Sequence, residues 1–171
     1  MARQDWLEEV YRDHAPALFR FLIRLTGTEA ETRDVLQEIF VRLAQSPSLL
    51  DDVTAPRSYL FRLAHRLVID RYRREEARQR HENRARQEQE PSHPPEIAEG
   101  DAAWVQKTLG RSLNRLPSDQ RAVVILKIWE EMTFAEIGEA LDIPANTAAS
   151  RYRYALDKLR DELRPLHQDL P

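Results

Sequence analysis

The spacing of apolar residues along the chain predicts helices. In the N-terminal part, apolar positions recur at helical spacing in three stretches, and no run alternates long enough to form a strand. The first stretch ends at Gly27, the second begins at Thr28 with Glu31 as its capping-box partner, and the third begins at Pro56. Pro16 lies inside the first stretch and predicts a kink or a restart just before it.

The middle of the chain changes character. Residues 78–100 have no apolar periodicity, are rich in Arg, Gln and Glu, and contain the proline-rich run PSHPPE. Such a segment cannot bury enough apolar surface to offset its ordering entropy, so we expect a flexible linker. The predicted fold is therefore all-α, with two small helical domains at residues 1–77 and 101–171.

The C-terminal part contains a recognisable arrangement of helices. A helix beginning with Ser118 as its cap precedes the short helix FAEIGEAL, capped by Thr133, and a longer helix follows from Asn146 or Thr147. The break at residues 142–144 includes a proline, which cannot lie inside a continuous helix. A short helix, a tight turn and a longer helix form the helix-turn-helix layout.

The last helix has side chains suited to a DNA groove. Small residues lie at its start, which lets the helix approach the groove closely: Ala145, Ala148 and Ala149. Ser150, Arg151 and Arg153 can then face base edges and phosphates. A plain helical hairpin with a solvated basic face fits the same pattern.

Composition narrows the class of protein. The 171 residues include no Cys, which excludes disulfides and thiolate metal sites. The five His are scattered, and neither a glycine-rich phosphate loop nor a nucleophile elbow is present, so we expect no metal, no cofactor and no enzyme activity. No run approaches the length of a membrane span or a secretory signal, which predicts a cytoplasmic protein without membrane insertion.

Charge is unevenly distributed, although the formal net charge is only -3. The third helix carries basic side chains with an interleaved tyrosine: Arg57, Tyr59, Arg62, His65, Arg66, Arg73 and Arg74. Arginines that track phosphate beside a ring that stacks on a base suit a melted DNA strand. The alternative is a solvated helix whose arginines pair with Asp70, Glu75 and Glu76.

Both halves resemble the bacterial extracytoplasmic-function (ECF) sigma factors, which belong to group IV. RLPSDQRAVVILKIWEEMTFAEIGEALDIPANTAASRYRYALDKLR is similar to their region four, and ALFRFLIRLTGTEAETRDVLQEIFVRLAQ with APRSYLFRLAHRLVIDRYRRE is similar to their region two. The chain departs from the usual pattern at a few positions. Asp142 and Asn146 replace glycines, Ala149 replaces a lysine, and Arg66 stands where an asparagine is common.

The resemblance implies three sets of site residues. On the second helix, the resemblance implies an edge that docks on core RNA polymerase: Asp34, Gln37, Glu38 and Val41. The basic residues and tyrosine of the third helix imply contacts to the minus-ten promoter element. The last helix implies contacts to the minus-thirty-five element: Asn146, Thr147, Ser150, Arg151 and Arg153. Of these, Arg151 and Ser150 are expected to give specificity and Arg153 to contact phosphate.

The resulting hypothesis is a sigma factor that directs promoter-specific transcription initiation. Its expected partners are core RNA polymerase, promoter DNA and an anti-sigma factor, and the free protein is expected to be a monomer that binds duplex weakly on its own. The main alternative is a stand-alone dimeric helix-turn-helix regulator, and a second alternative is a helical adaptor with no nucleic-acid role.

Overall fold

The computed structural model describes residues 2–83 and 101–168, and the side chains of residues 5–81 and 107–164. These residues form seven α-helices and one short 3-10 helix, at Pro47–Leu50, and no strand. The α-helices are α1 (Ala2–Thr26), α2 (Glu29–Gln45), α3 (Pro56–Asn83), α4 (Asp101–Arg115), α5 (Ser118–Ile128), α6 (Phe134–Leu141) and α7 (Ala145–Gln168). The all-α prediction is confirmed, whereas most of the predicted linker, residues 84–100, lies outside the described residues.

Some helix boundaries differ from the predicted ones. α1 continues through Pro16 without a restart, because Ala15 and Leu18 on either side of it are buried in the same core. α3 extends to Asn83, beyond the predicted domain end at residue 77, and its last turns carry ion pairs three and four residues apart. In α5 the predicted cap Ser118 is the first helical residue, and Pro117 holds the cap position without a side-chain hydrogen bond. α7 begins at Ala145, before both of its predicted caps, Asn146 and Thr147.

The first domain is a bundle of α1, α2 and α3. Phe21 of α1 and Phe61 of α3 meet edge to face, with ring centroids 5.3 Å apart, and both side chains are fully buried. Ile39 and Leu43 complete the core from α2. Thr28 accepts a hydrogen bond from the main-chain N–H of Glu31, which is half of the predicted capping box. The Thr28 N–H donates to the Thr26 hydroxyl and not to Glu31.

The second domain contains the predicted helix-turn-helix. Thr133 and Glu136 form a complete capping box at the start of α6. Asp142 ends α6 in the left-handed conformation, with φ 58°, so the turn forms with aspartate at the position where the family resemblance implies a glycine. At Gly138 an added Cβ would lie 2.6 Å from the carbonyl oxygen of Ile143, so the turn packs directly on bare backbone.

The two domains pack against each other. One cluster of buried apolar side chains includes Leu18 and Phe61 of the first domain and Val123 and Ile137 of the second. Arg121 of α5 donates hydrogen bonds to the carbonyl oxygen of Leu25 at 2.8 Å and to those of Asn114 and Leu116 at 2.7 and 3.1 Å. This side chain satisfies carbonyl groups at the ends of both α1 and α4.

Along the described ranges, no helix is long and apolar enough to cross a membrane. The same ranges contain no group of three or more His, Asp or Glu side chains arranged to hold a metal ion.

Candidate polymerase and nucleic-acid interfaces

Only some side chains of the predicted docking edge on α2 are exposed. Asp34, Gln37 and Val41 are exposed, and Val41 keeps 44 % of its surface accessible. Glu38 is half-buried and accepts hydrogen bonds from Arg71 of α3 at 2.9 Å and from Arg42 at 2.6 Å. The hydrogen bond from Arg71 is the main cause that lowers the pKa of Glu38. This carboxylate is therefore compensated within the domain, and Gln37 and Val41 are the freer side chains.

An apolar groove adjoins this edge, and sequence reasoning missed it. The groove lies between α1 and α2, has a volume of about 710 Å³ and includes Leu7, Tyr11, Phe19, Leu36, Phe40 and Val41 in its lining. Tyr11 is 53 % exposed, and its ring lies 4.8 Å from that of Phe40. The sequence signal was the Leu7–Tyr11 pair, spaced four residues apart on α1.

Four of the basic side chains predicted to contact the minus-ten element lie together against the second domain. Arg57 donates to the carbonyl oxygen of Glu130 at 2.9 Å, and Arg62 donates to the carbonyl oxygen of Glu139 at 2.9 Å. The following turn is also engaged. Arg66 pairs with Asp142 at 3.2 Å, and the Nε2 atom of His65 lies 3.9 Å from an Asp119 carboxylate oxygen.

The other three members of this set are placed differently. Tyr59 is half-buried against the hydrophobic core, whereas Arg73 and Arg74 are exposed further along α3. The structure therefore brings Arg57, Arg62, His65 and Arg66 to one boundary and does not bring the tyrosine ring to the surface beside them.

The key acidic residue at this boundary is Glu130, which sequence reasoning did not single out. Its side chain is only 1 % exposed. Arg20 of α1 forms a two-pronged pair with it, with Nε 3.1 Å from Oε1 and Nη2 3.0 Å from Oε2. Arg57 adds a third contact, with Nη2 3.3 Å from Oε2. Both counter-charges come from the first domain, 110 and 73 residues away in sequence.

The α7 residues that were predicted to contact the minus-thirty-five element divide between two sides. Asn146, Ser150 and Arg153 are exposed, and Thr147 is half-buried. The Arg151 side chain is 30 % exposed and lies 3.5 Å from Asp119 of α5, so it faces the domain boundary.

Two neighbouring positions on α7 change the sequence-based interpretation. Ala148 is wholly buried in the core, so the interpretation of its small side chain as room for a groove was wrong. Tyr154, which sequence reasoning missed, is 53 % exposed, and the Arg153 guanidinium carbon lies 5.2 Å from the centre of its ring. The sequence signal for it was the alternation of arginine and tyrosine at residues 151–154, which places an aromatic side chain next to an arginine.

Known protein families match both domains in chain order. The model described as "Sigma-70 region 2" matches residues 10–78, and the one described as "Sigma-70, region 4" matches residues 106–159. The ECF RNA polymerase sigma factor SigL of Mycobacterium tuberculosis is 32 % identical over 164 residues, spanning 94 % of this chain and 90 % of the relative. The chain belongs to the ECF sigma factor family.

Further similarities extend over nearly the whole ECF sigma factor chain. The ECF sigma factor SigW of Bacillus subtilis is 28 % identical, covering 95 % of this chain and 91 % of the relative. The sigma factor RpoE of Bartonella quintana, solved in complex with the anti-sigma factor NepR, has the same fold, with a TM-score of 0.74 and 19 % identity over 94 % of this chain and 98 % of that one. This protein is thus a sigma factor of promoter-directed transcription, a class that binds core RNA polymerase and promoter DNA.

Proposed function

We propose that the two domains divide promoter recognition between them. The first domain docks on core RNA polymerase through α2 and presents α3 to the melted minus-ten element, and the second domain places α7 in the major groove of the minus-thirty-five element. The observation that carries this proposal is the pairing, in one chain, of a cationic α3 with a helix-turn-helix whose α7 exposes Asn146, Ser150 and Arg153.

The docking surface is proposed to combine the α2 edge with the neighbouring groove. Gln37 and Val41 are exposed there, and the groove supplies apolar area for a helix of the polymerase. Asp34 and Glu38 add negative charge, and Arg71 of α3 lies 3.9 and 2.9 Å from their carboxylates. A basic partner on the polymerase would share these carboxylates with Arg71.

Within α7, Ser150 and Arg151 are proposed to read bases and Arg153 to contact phosphate, with Asn146 and Thr147 at the helix start. A bidentate arginine on guanine gives roughly 1–3 kcal/mol of discrimination. Arg151 has to leave Asp119 to reach a base, so this role requires a conformation other than the one described.

The remaining parts of the proposal follow from this division. The protein acts as an initiation factor with no catalytic step of its own, as a monomer, and in the cytoplasm, where bacterial polymerase works. Regulation by an anti-sigma factor is proposed because the similar RpoE of Bartonella quintana was solved with one. A stand-alone dimeric regulator is not favoured, since both sigma regions match in order.

Run-off transcription with purified core polymerase and a genomic promoter library tests the function. We expect new transcripts only when the protein is added. Replacing both freer side chains of the docking edge, Gln37→Ala with Val41→Ala, is expected to weaken core binding in a pull-down by about tenfold or more, within the range of interface hot spots.

The matched control is Gln45→Ala, which removes an exposed glutamine from the end of the same helix. Circular dichroism melting checks that all variants are folded. Equal core binding by the control and by the double variant would exclude α2 as the docking edge, and the absence of new transcripts would exclude the function.

A further inference from the structure

The surfaces that meet α3 at the domain boundary resemble DNA in their chemistry. The acceptors that face its basic side chains are carboxylate and main-chain carbonyl oxygens of the second domain. An arginine that binds a carboxylate uses the same N–H donors with which it would bind a phosphate. Each of these contacts therefore occupies a side chain that the proposed function assigns to the promoter.

Glu130 is a buried carboxylate at this boundary that binds two arginines of the first domain. It is the buried acceptor of three arginine contacts at 3.0 to 3.3 Å, while its own main-chain carbonyl accepts from Arg57 at 2.9 Å. A carboxylate removed from water is stable only when cations and hydrogen bonds compensate it. Because Arg20 and Arg57 both belong to the first domain, the compensated site exists only while the domains are packed together.

The neighbouring contacts extend the same arrangement along α3. Arg62 and Arg66 follow Arg57 by about one and a half and two and a half turns, and both bind the end of α6 or the turn that follows it. In the closed arrangement these contacts thus run along the N-terminal part of the helix, from its first turn to Arg66. The Arg57 and Arg66 side chains keep 46 % and 61 % of their surface exposed, so a nucleic-acid strand would compete with the second domain for their N–H donors.

We propose that Glu130 is an autoinhibitory latch that holds the free protein closed and withholds α3 from DNA. The proposal rests on the proposed function, since it takes α3 as the face that binds the melted strand. Promoter DNA and the second domain compete for the same arginines, so DNA binding requires the domains to separate. Assembly with the polymerase supplies that separation.

The closed state is measured directly by energy transfer between two dyes. The chain has no native cysteine, so Glu9→Cys and Asp161→Cys, both at exposed positions, give one labelling site in each domain. Glu130→Gln keeps the shape of the side chain and removes its charge, and we expect it to lower the transfer efficiency of the free protein. Glu131→Gln is the matched control, because it changes the net charge equally at an exposed neighbour.

DNA binding provides the second measurement. We expect Glu130→Gln to raise the affinity of the free protein for a fluorescent, mixed-sequence single strand on the order of tenfold, a usual size for coupling between two sites. Glu131→Gln reports the part of any gain that comes from net charge alone. Equal transfer efficiencies and equal affinities for the two glutamine variants would overturn the latch.

A second variant guards against a folding defect at the buried site. Arg20→Gln leaves Glu130 and the α3 arginines unchanged while removing the two-pronged contact, and it is expected to shift both measurements in the same direction. Neither measurement uses the polymerase. If run-off transcription succeeds while Glu130→Gln and Arg20→Gln match Glu131→Gln, the latch is wrong and the proposed function stands. If both latch variants open the chain while transcription fails, the latch is supported and the proposed function is not.

Discussion

His65 lies at the domain boundary, and histidine is the residue type whose unperturbed pKa lies closest to neutral pH. Burial is the main cause that lowers its pKa below 6.5, Asp119 opposes this shift, and Arg151 and Arg66 reinforce it. Its Nε2 atom is buried without a hydrogen-bond partner within the described part of the chain. The described conformation therefore favours the neutral imidazole.

The lowered pKa predicts the direction in which acid affects stability. As pH falls through about 6.5, the unfolded chain binds a proton on His65 that the folded chain still excludes, so the free energy of unfolding decreases. Above that pH the contribution is fully present. Urea midpoints measured between about pH 5.5 and 8 should fall on the acid side, and His65→Gln should flatten this dependence.

His14 should preserve part of the pH dependence of stability in the His65→Gln variant, because burial also lowers the pKa of His14. Arg57 lowers this pKa further, and Asp13 opposes the shift. The slope of the variant should therefore be reduced and not abolished. A His65→Gln profile parallel to that of the parent chain would contradict the prediction.

At the scale of elements, the turn between α6 and α7 depends on a backbone with no side chain. Gly138→Ala would place a methyl group 2.6 Å from the Ile143 carbonyl oxygen, so the turn would have to move. We expect a loss of about 1–3 kcal/mol in the free energy of unfolding, the usual cost of overpacking. Urea unfolding measures it.

Gly110→Ala is the matched control for this prediction. An added Cβ there meets no atom within 4 Å, and the position lies inside α4. The exchange should stabilise the protein by about 0.5–1 kcal/mol, because alanine is the better helix former. A similar loss from both variants would mean that contact with Ile143 is not the cause.

Sequence predicted elements well where the signal was local. Thr133 and Glu136 form the full capping box that the sequence predicts, whereas Thr28 and Glu31 form only half of theirs; in both cases the partners lie within one turn. The small side chain of Ala148 was misinterpreted, although it precedes Tyr152 by four residues and therefore lies on the apolar side of α7. The cap of α7 was misplaced because small and polar residues follow one another there.

At the scale of the whole molecule, the packing of the domains could not be predicted. Glu130 is one of four closely spaced acidic residues in the sequence and looks like a solvated group, yet its partners lie 73 and 110 positions away. No periodicity reports a contact of that separation. The helix-turn-helix was predicted from sequence, whereas the surface that packs against α3 was not.

Arg121 tests how far the two domains fold as one unit. Arg121→Met removes three hydrogen bonds to carbonyl oxygens, one of them on α1 of the other domain. Because hydrogen bonds to charged groups contribute about 1.5–3 kcal/mol, we expect the free energy of unfolding to fall by at least that amount. Far-ultraviolet circular dichroism during urea unfolding measures it.

Arg111→Met makes the same change of charge at an exposed position of α4 and should leave stability within about 0.5 kcal/mol of the parent chain. If the two variants unfold at the same urea concentration, Arg121 does not join the domains.

Asp142 has two opposite effects on stability: its backbone conformation is unfavourable, whereas its side chain makes a favourable contact. Its left-handed backbone costs about 1–2 kcal/mol relative to a glycine, while its carboxylate reaches Arg66 at 3.2 Å across the boundary. A glycine at this position would relax the backbone and give up that reach. Thermal stability and domain closure are therefore separate properties here. The single exchange Asp142→Gly would raise the melting temperature and also increase the fraction of time for which the two domains are separated.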